Sequence, residues 1–156
     1  MIAVREETDR KIDELLGVFP RKGTALLPAL FLIQEEKGYI SPESMEYVAG
    51  KLDVSPVFVA GVVSFYTMFH TKPVGRHHIQ ICRTLACALR GCRAVLQHLE
   101  QRLGVLPGEM TADGKFSLEA VECLGACDKA PMMQINDEEY EILDPKKVDE
   151  VLARLE

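Results

Sequence analysis

The chain of 156 residues has no tryptophan, no basic excess and no apolar run long enough for a bilayer. The missing tryptophan excludes nothing by itself. The charge balance excludes more, because 18 Lys and Arg against 24 Asp and Glu leave a net charge of -6. Nucleic-acid phosphates call for the opposite, a basic stripe or patch. The longest apolar stretch, Val57 to Phe69, is broken by Ser64 and Thr67 and falls short of the ~20 residues of a spanning helix, so no direct membrane insertion is expected. Met1 to Arg10 is polar, so no secretory leader is expected. No G-x-G-x-x-G follows a predicted strand and no P-loop occurs, so the chain is not expected to hold a dinucleotide or nucleotide unaided. C-x-x-C is also missing, which disfavours a dithiol oxidoreductase.

What the chain does have is five cysteines in two tight groups: Cys82, Cys87 and Cys92, then Cys123 and Cys127. The odd number and the missing leader point to a reducing cytoplasm, where structural disulfides are rare and metal or redox roles gain weight. The apolar share of 47% is ordinary for a globular chain and supports a core.

The pattern along the chain changes near residue 73. Before it, four short helices are expected. The first covers about Val4 to Leu16, with Ile12, Leu15 and Leu16 on one face and Gly17 as its stop. The second is capped by Thr24 and closed by Gly38. The third and fourth, about 42–51 and 56–66, start at Ser41-Pro42 and Ser55-Pro56, a capping hydroxyl before a first-turn proline. The fourth is apolar on most faces and is expected to be buried. After the linker Pro73-Val74-Gly75-Arg76, strands are expected at His78–Ile81, Phe116–Glu122, Met132–Asn136 and Glu139–Leu143, the last pair turning at Asp137-Glu138. Helices are expected from Gly91 to Leu103 and after Asp144-Pro145. The fold class is therefore α+β: a helical domain over 1–72, then a β-α-β-β-α domain over 73–156 whose order resembles a thioredoxin-like sheet.

Both cysteine groups follow predicted strands. Thiolates are soft anionic ligands that suit zinc and iron–sulfur clusters. A [2Fe–2S] cluster takes four protein ligands, which two close pairs on neighbouring loops can supply. Zinc accepts four cysteines at similar spacings, so spacing alone leaves both open. A Rieske site is disfavoured, because no histidine lies near Cys123 or Cys127. Cys92 opens an amphipathic helix and is assigned to packing.

The segments Cys82-Arg83-Thr84-Leu85-Ala86-Cys87 and Cys123-Leu124-Gly125-Ala126-Cys127, the latter running on into Ala130-Pro131-Met132, resemble the two cluster segments of the thioredoxin-like [2Fe–2S] subunit of NADH:quinone oxidoreductase, respiratory complex I. Leu26-Leu27-Pro28-Ala29-Leu30, Gly38-Tyr39-Ile40-Ser41 and Ser64-Phe65-Tyr66-Thr67-Met68-Phe69 extend the likeness into the helical half. The resemblance implies an electron-transfer subunit with one [2Fe–2S] cluster on Cys82, Cys87, Cys123 and Cys127. It also implies a flavin-bearing partner that oxidises NADH at FMN, on which the helical half docks, beside other complex I subunits in a peripheral arm. The same motifs occur in NAD-linked soluble hydrogenases and formate dehydrogenases. A zinc-stabilised interaction module is the reading of another class.

Smaller expectations accompany this one. Gly125 and Ala126 let backbone N–H groups approach sulfur, or simply form a tight turn. Ala130-Pro131 is where a thioredoxin-like fold can place a cis proline, although trans is the general rule. His77 and His78 point to opposite faces of a strand and are expected at an edge or surface. Arg83 and Lys129 stand where the resembling family often has threonine and asparagine. Both are expected to add positive charge that favours a reduced cluster.

Overall fold

The computed structural model describes residues 2–155 and divides between Pro73 and Val74 into two units. The first unit is helical: α1 (Glu6–Val18), a 3-10 turn (Lys22–Ala25), α2 (Leu26–Lys37), α3 (Pro42–Leu52) and α4 (Pro56–Phe65). Its core joins Ile12 of α1, Leu26, Leu30 and Ile33 of α2, Val48 and Leu52 of α3, and Val59 and Val63 of α4. In α2, α3 and α4 these positions recur at helical spacing on one face, which is what makes the packing possible.

Local start signals hold where the capping group is close in sequence. The Ser41 hydroxyl accepts from the Ser44 N–H at 3.2 Å, and the Ser55 hydroxyl accepts from the Val57 N–H at 3.3 Å. Two expectations fail. Gly17 lies inside α1, which runs on to Val18 and ends at Phe19. Thr24 lies within the 3-10 turn, and α2 begins after Ala25 with no side-chain cap. The turn already supplies helical backbone ahead of α2, so no capping hydroxyl is needed there.

The fourth helix also departs from expectation. Only Val59 and Val63 of α4 are buried. Val57, Phe58 and Phe65 are 80%, 53% and 76% exposed. An all-round apolar helix usually signals burial on all sides; here one face packs and the other is open.

The second unit contains β1 (His77–Cys82), α5 (Leu85–Leu89), α6 (Cys92–Leu103), β2 (Phe116–Val121), β3 (Met133–Ile135), β4 (Glu138–Tyr140) and α7 (Pro145–Leu155). The sheet order is β2-β1-β3-β4. β1 and β2 are parallel, with His77 opposite Phe116 and Cys82 opposite Val121. β1 pairs antiparallel with β3, and β3 with β4. Ile79, Ile81, Phe116, Leu118, Met133 and Ile135 share one core with Val95 and Leu99 of α6 and Val148, Val151 and Leu152 of α7. The short helix α5 was not legible in the sequence. The last hairpin turns at Asn136-Asp137, one residue earlier than expected, because Asn136 takes the left-handed conformation (φ 53°) that asparagine tolerates. Its side chain accepts from the His78 N–H and donates to the Arg76 carbonyl, which fixes that turn. Asp144 caps α7 as expected, accepting from the Lys147 N–H at 2.7 Å.

Gly75 is needed for close approach. A Cβ there would lie 2.4 Å from the Phe116 carbonyl carbon and 2.6 Å from the Ser117 nitrogen. Its N–H donates to the Ser117 hydroxyl at 2.9 Å, which sits 2.8 Å from His78 Nδ1. His78 Nε2 lies 3.1 Å from Glu119. His78 is thus buried in a hydrogen-bonded chain, not at a surface. His77 is half-buried and packs its ring on Phe116 with centroids 5.4 Å apart.

Candidate metal centre

Parallel pairing of β1 and β2 puts their C-terminal ends side by side. Cys82 is the last residue of β1, and Cys123 follows Val121, the last of β2, by two positions. The two sulfur-bearing loops therefore leave one edge of the sheet together. Backbone and side-chain contacts join them. The Arg83 N–H donates to the Val121 carbonyl at 3.1 Å. The Cys82 thiol donates to the Glu122 carbonyl at 3.5 Å. The Arg83 guanidinium is ion-paired with the Glu122 carboxylate.

The first pair is built into the fold. Cys82 ends a strand and Cys87 sits in α5; they are 3% and 2% exposed. Both pack with Cys92, Ala130 and Met132, and Leu124, Ala86 and Ala126 lie against them. Burial would raise the Cys82 thiol. Hydrogen bonds from the Thr84 side chain and from the Thr84 and Leu124 N–H groups outweigh it and hold Cys82 below the ordinary thiol range. Cys87 goes the other way. Burial, reinforced by its hydrogen bond with Cys82, pushes it up to about 11 against an opposing bond from the Met132 N–H. The two neighbouring sulfurs are thus shifted in opposite directions, Cys82 down by hydrogen bonds and Cys87 up by burial.

The second pair lies on an open loop, with Cys123 and Cys127 both exposed. Gly125 between them has φ +91°, a left-handed residue that turns the loop. This supports the turn reading of Gly125, and Leu124 beside it supplies the N–H to Cys82. Cys127 begins a 3-10 turn to Lys129, and the Ala130-Pro131 bond is cis. The far end of the loop is fastened. The Lys129 carbonyl accepts from the Ile142 N–H at 2.8 Å, and the Pro131 carbonyl from Leu143 at 2.9 Å. The Lys129 ammonium pairs with Glu141 at 2.8 Å.

The structure therefore brings Cys82 and Cys87 into contact and sets the Cys123 and Cys127 loop beside them. Among the described residues, no three His, Cys, Asp or Glu side chains converge as metal ligands. The donor set still fits an iron–sulfur group: four thiols in two pairs on adjoining loops, with backbone N–H groups and small residues around them. Cys92 is buried at the first position of α6 and is raised by burial, in keeping with a packing role. Arg83 and Lys129 do not stand as lone charges. Each is paired with a carboxylate, Glu122 or Glu141, that sequence distance had hidden.

A mixed sheet with helices on its apolar face and thiol pairs at two parallel strand ends defines a thioredoxin-like sulfur-donor domain. The model for the thioredoxin-like [2Fe-2S] ferredoxin family matches residues 12–156, and the chain belongs to that family. Two relatives carry the likeness across nearly the whole chain. An NADH-quinone oxidoreductase subunit of Rhizobium meliloti (strain 1021) is 42% identical over 151 residues, covering 97% of this chain and 88% of its own. The corresponding NADH-quinone oxidoreductase subunit of Aquifex aeolicus (strain VF5) is 41% identical over 149 residues, covering 96% and 93%. Among solved structures, the NAD+-reducing [NiFe]-hydrogenase in the air-oxidized state matches with a TM-score of 0.71 at 24% identity. That match covers 84% of this chain and 22% of the hydrogenase chain, and it shows the fold.

Proposed function

We propose that this chain is an electron-transfer subunit of an NADH–quinone oxidoreductase, with one [2Fe–2S] cluster held by Cys82, Cys87, Cys123 and Cys127. The observation that carries the reading is the pair of thiol-bearing loops at adjoining strand ends, in a chain related to NADH-quinone oxidoreductase subunits over more than nine-tenths of its length. A [2Fe–2S] group there supplies uptake and release of single electrons. The chain's residues supply the surroundings. Met132, Ala130 and Leu124 shield the first pair from water, and N–H groups of Leu124 and Met132 point at sulfur.

The sequence carries no dinucleotide fingerprint, so hydride chemistry belongs to a flavin-bearing, NADH-oxidising partner holding FMN. The open face of α4, with Val57, Phe58 and Phe65, supports docking of the helical unit on such a partner. Among the described residues no helix is long and apolar enough to cross a membrane; the place in a cytoplasmic, peripheral arm is proposed from kinship with NADH-quinone oxidoreductase subunits. Relatives at 42% and 41% identity favour this assembly over an NAD-linked hydrogenase, whose like-folded chain shares 24%.

Anaerobic purification tests the reading. The expected product is coloured, with an EPR signal on reduction that disappears when Cys82, Cys87, Cys123 or Cys127 becomes serine and survives Cys92→Ser. A colourless protein with stoichiometric zinc would refute it, as would loss of the signal in Cys92→Ser with retention in Cys82→Ser.

A further inference from the structure

Arg83 and Lys129, one on each sulfur loop, do different work. Lys129 pairs with Glu141, tying the second loop to the segment between β4 and α7. The Lys147 ammonium holds the Glu141 carbonyl as well. That arrangement fastens one end of one loop. Arg83 pairs with Glu122, and these residues directly follow Cys82 and directly precede Cys123. This pair alone joins a side chain of the first loop to a side chain of the second among the ion pairs of the described residues.

Resting on the proposed cluster, we infer that Arg83 and Glu122 form a charge-cancelling clasp that aligns the two sulfur loops and whose halves move the reduction potential in opposite directions. The clasp closes the outer side of a junction whose inner side is already bonded through the Arg83 N–H to the Val121 carbonyl. Both side chains are exposed, 58% and 73%, so the pair adds little to global stability. Its influence is local. One-electron reduction adds a negative charge next to this pair. An unpaired guanidinium there stabilises that charge and an unpaired carboxylate opposes it. Paired, they nearly cancel. Arg83 and Glu122 are positioning residues; neither is a ligand.

The test is an EPR-monitored redox titration of the cluster-loaded full chain at low ionic strength. The variants are Glu122→Gln, Arg83→Gln and the double substitution. Glu122→Gln is expected to raise the potential, Arg83→Gln to lower it, and the double variant to return near wild type. All three are expected to lose iron to a chelator a few-fold faster than wild type, because each opens the clasp. Amide exchange in the cluster-free chain gives an independent reading, with residues 122–126 exchanging faster in all three variants. Shifts of the same sign in both single variants, or none, would overturn the clasp. A wild-type chain without an EPR signal would instead remove the cluster assignment on which it rests.

Discussion

The two units solve burial in different ways and expose different things. In the helical unit, Ile12, Leu30, Ile33, Leu52 and Val63 fill the core, while apolar side chains of α4 are left outside. In the sheet unit, the larger apolar core lies on the face covered by α6 and α7, and the exposed groups include, beside Leu85 and Leu89, the thiols of Cys123 and Cys127 in the loop after β2. In the proposed function, the first surplus serves docking and the second supplies donor atoms. The units should therefore respond to different perturbations. The sharpest case is Gly75→Ala in the sheet unit. The new Cβ meets backbone that cannot swing aside. The expected loss is about 3 kcal/mol, near the upper end for single substitutions. It should appear as faster amide exchange across β1 and β2, with the helical unit unchanged. Equal loosening of both units would break the comparison.

The helical unit should instead be the acid-sensitive one. The α1 helix has no capping side chain of its own. Glu36 of α2 replaces it, accepting from the Arg5 N–H at 3.1 Å and pairing with Lys37 at 2.7 Å. A carboxylate at a helix N-terminus also meets the positive end of the helix dipole. Burial would raise Glu36, but bonds from Lys37, the Thr8 side chain and the Arg5 N–H outweigh it and hold it at about 2, against an ordinary 4.5. The native state thus binds this proton less readily than the unfolded chain. Its contribution is complete above pH 4.5 and fades as the pH falls toward about 2. With its partners partly exposed, that contribution is about 2 kcal/mol. Glu36→Gln should lose that amount at pH 7 and show a flatter acid limb in denaturant titrations. An unchanged acid limb would show that another carboxylate governs it.

Legibility in the sequence followed distance along the chain. Ser41 and Ser55 announce their helices because donor and acceptor lie within three residues. The cap of α1 by Glu36 spans 31 residues and leaves no local mark. The same holds at the site. Spacing and neighbouring residues pointed to four cysteines, and β1 was readable from alternation, whereas the last strand, expected over Glu139–Leu143, ends at Tyr140. The contrast between a buried first pair and an exposed second pair was not readable. It depends on how β1, α5 and the Met132 segment close over Cys82 and Cys87. The carboxylates opposite Arg83 and Lys129 were hidden likewise, being 39 and 12 residues away.

The smallest effect on stability, and the most informative about α4, belongs to its open face. A run such as Val57-Phe58-Val59 reads the same in a core helix and in a docking helix. Only packing separates them: Val59 and Val63 are 0% and 3% exposed, whereas Val57 and Phe65 are 80% and 76%. Val63→Ala removes buried methyl groups and is expected to cost about 2 kcal/mol. Val57→Ser and Phe65→Ser should change stability by no more than about 0.5 kcal/mol, because little packing is lost. Yet they remove two of the most exposed apolar side chains of α4. Thermal melts of the three variants, beside co-purification with the proposed flavin-bearing partner, measure both quantities. Melting unchanged and co-purification weakened in the two serine variants is the expected pattern. If both serine variants melt as early as Val63→Ala, the open face belongs to the core of the helical unit and the contrast between the two units fails at this helix.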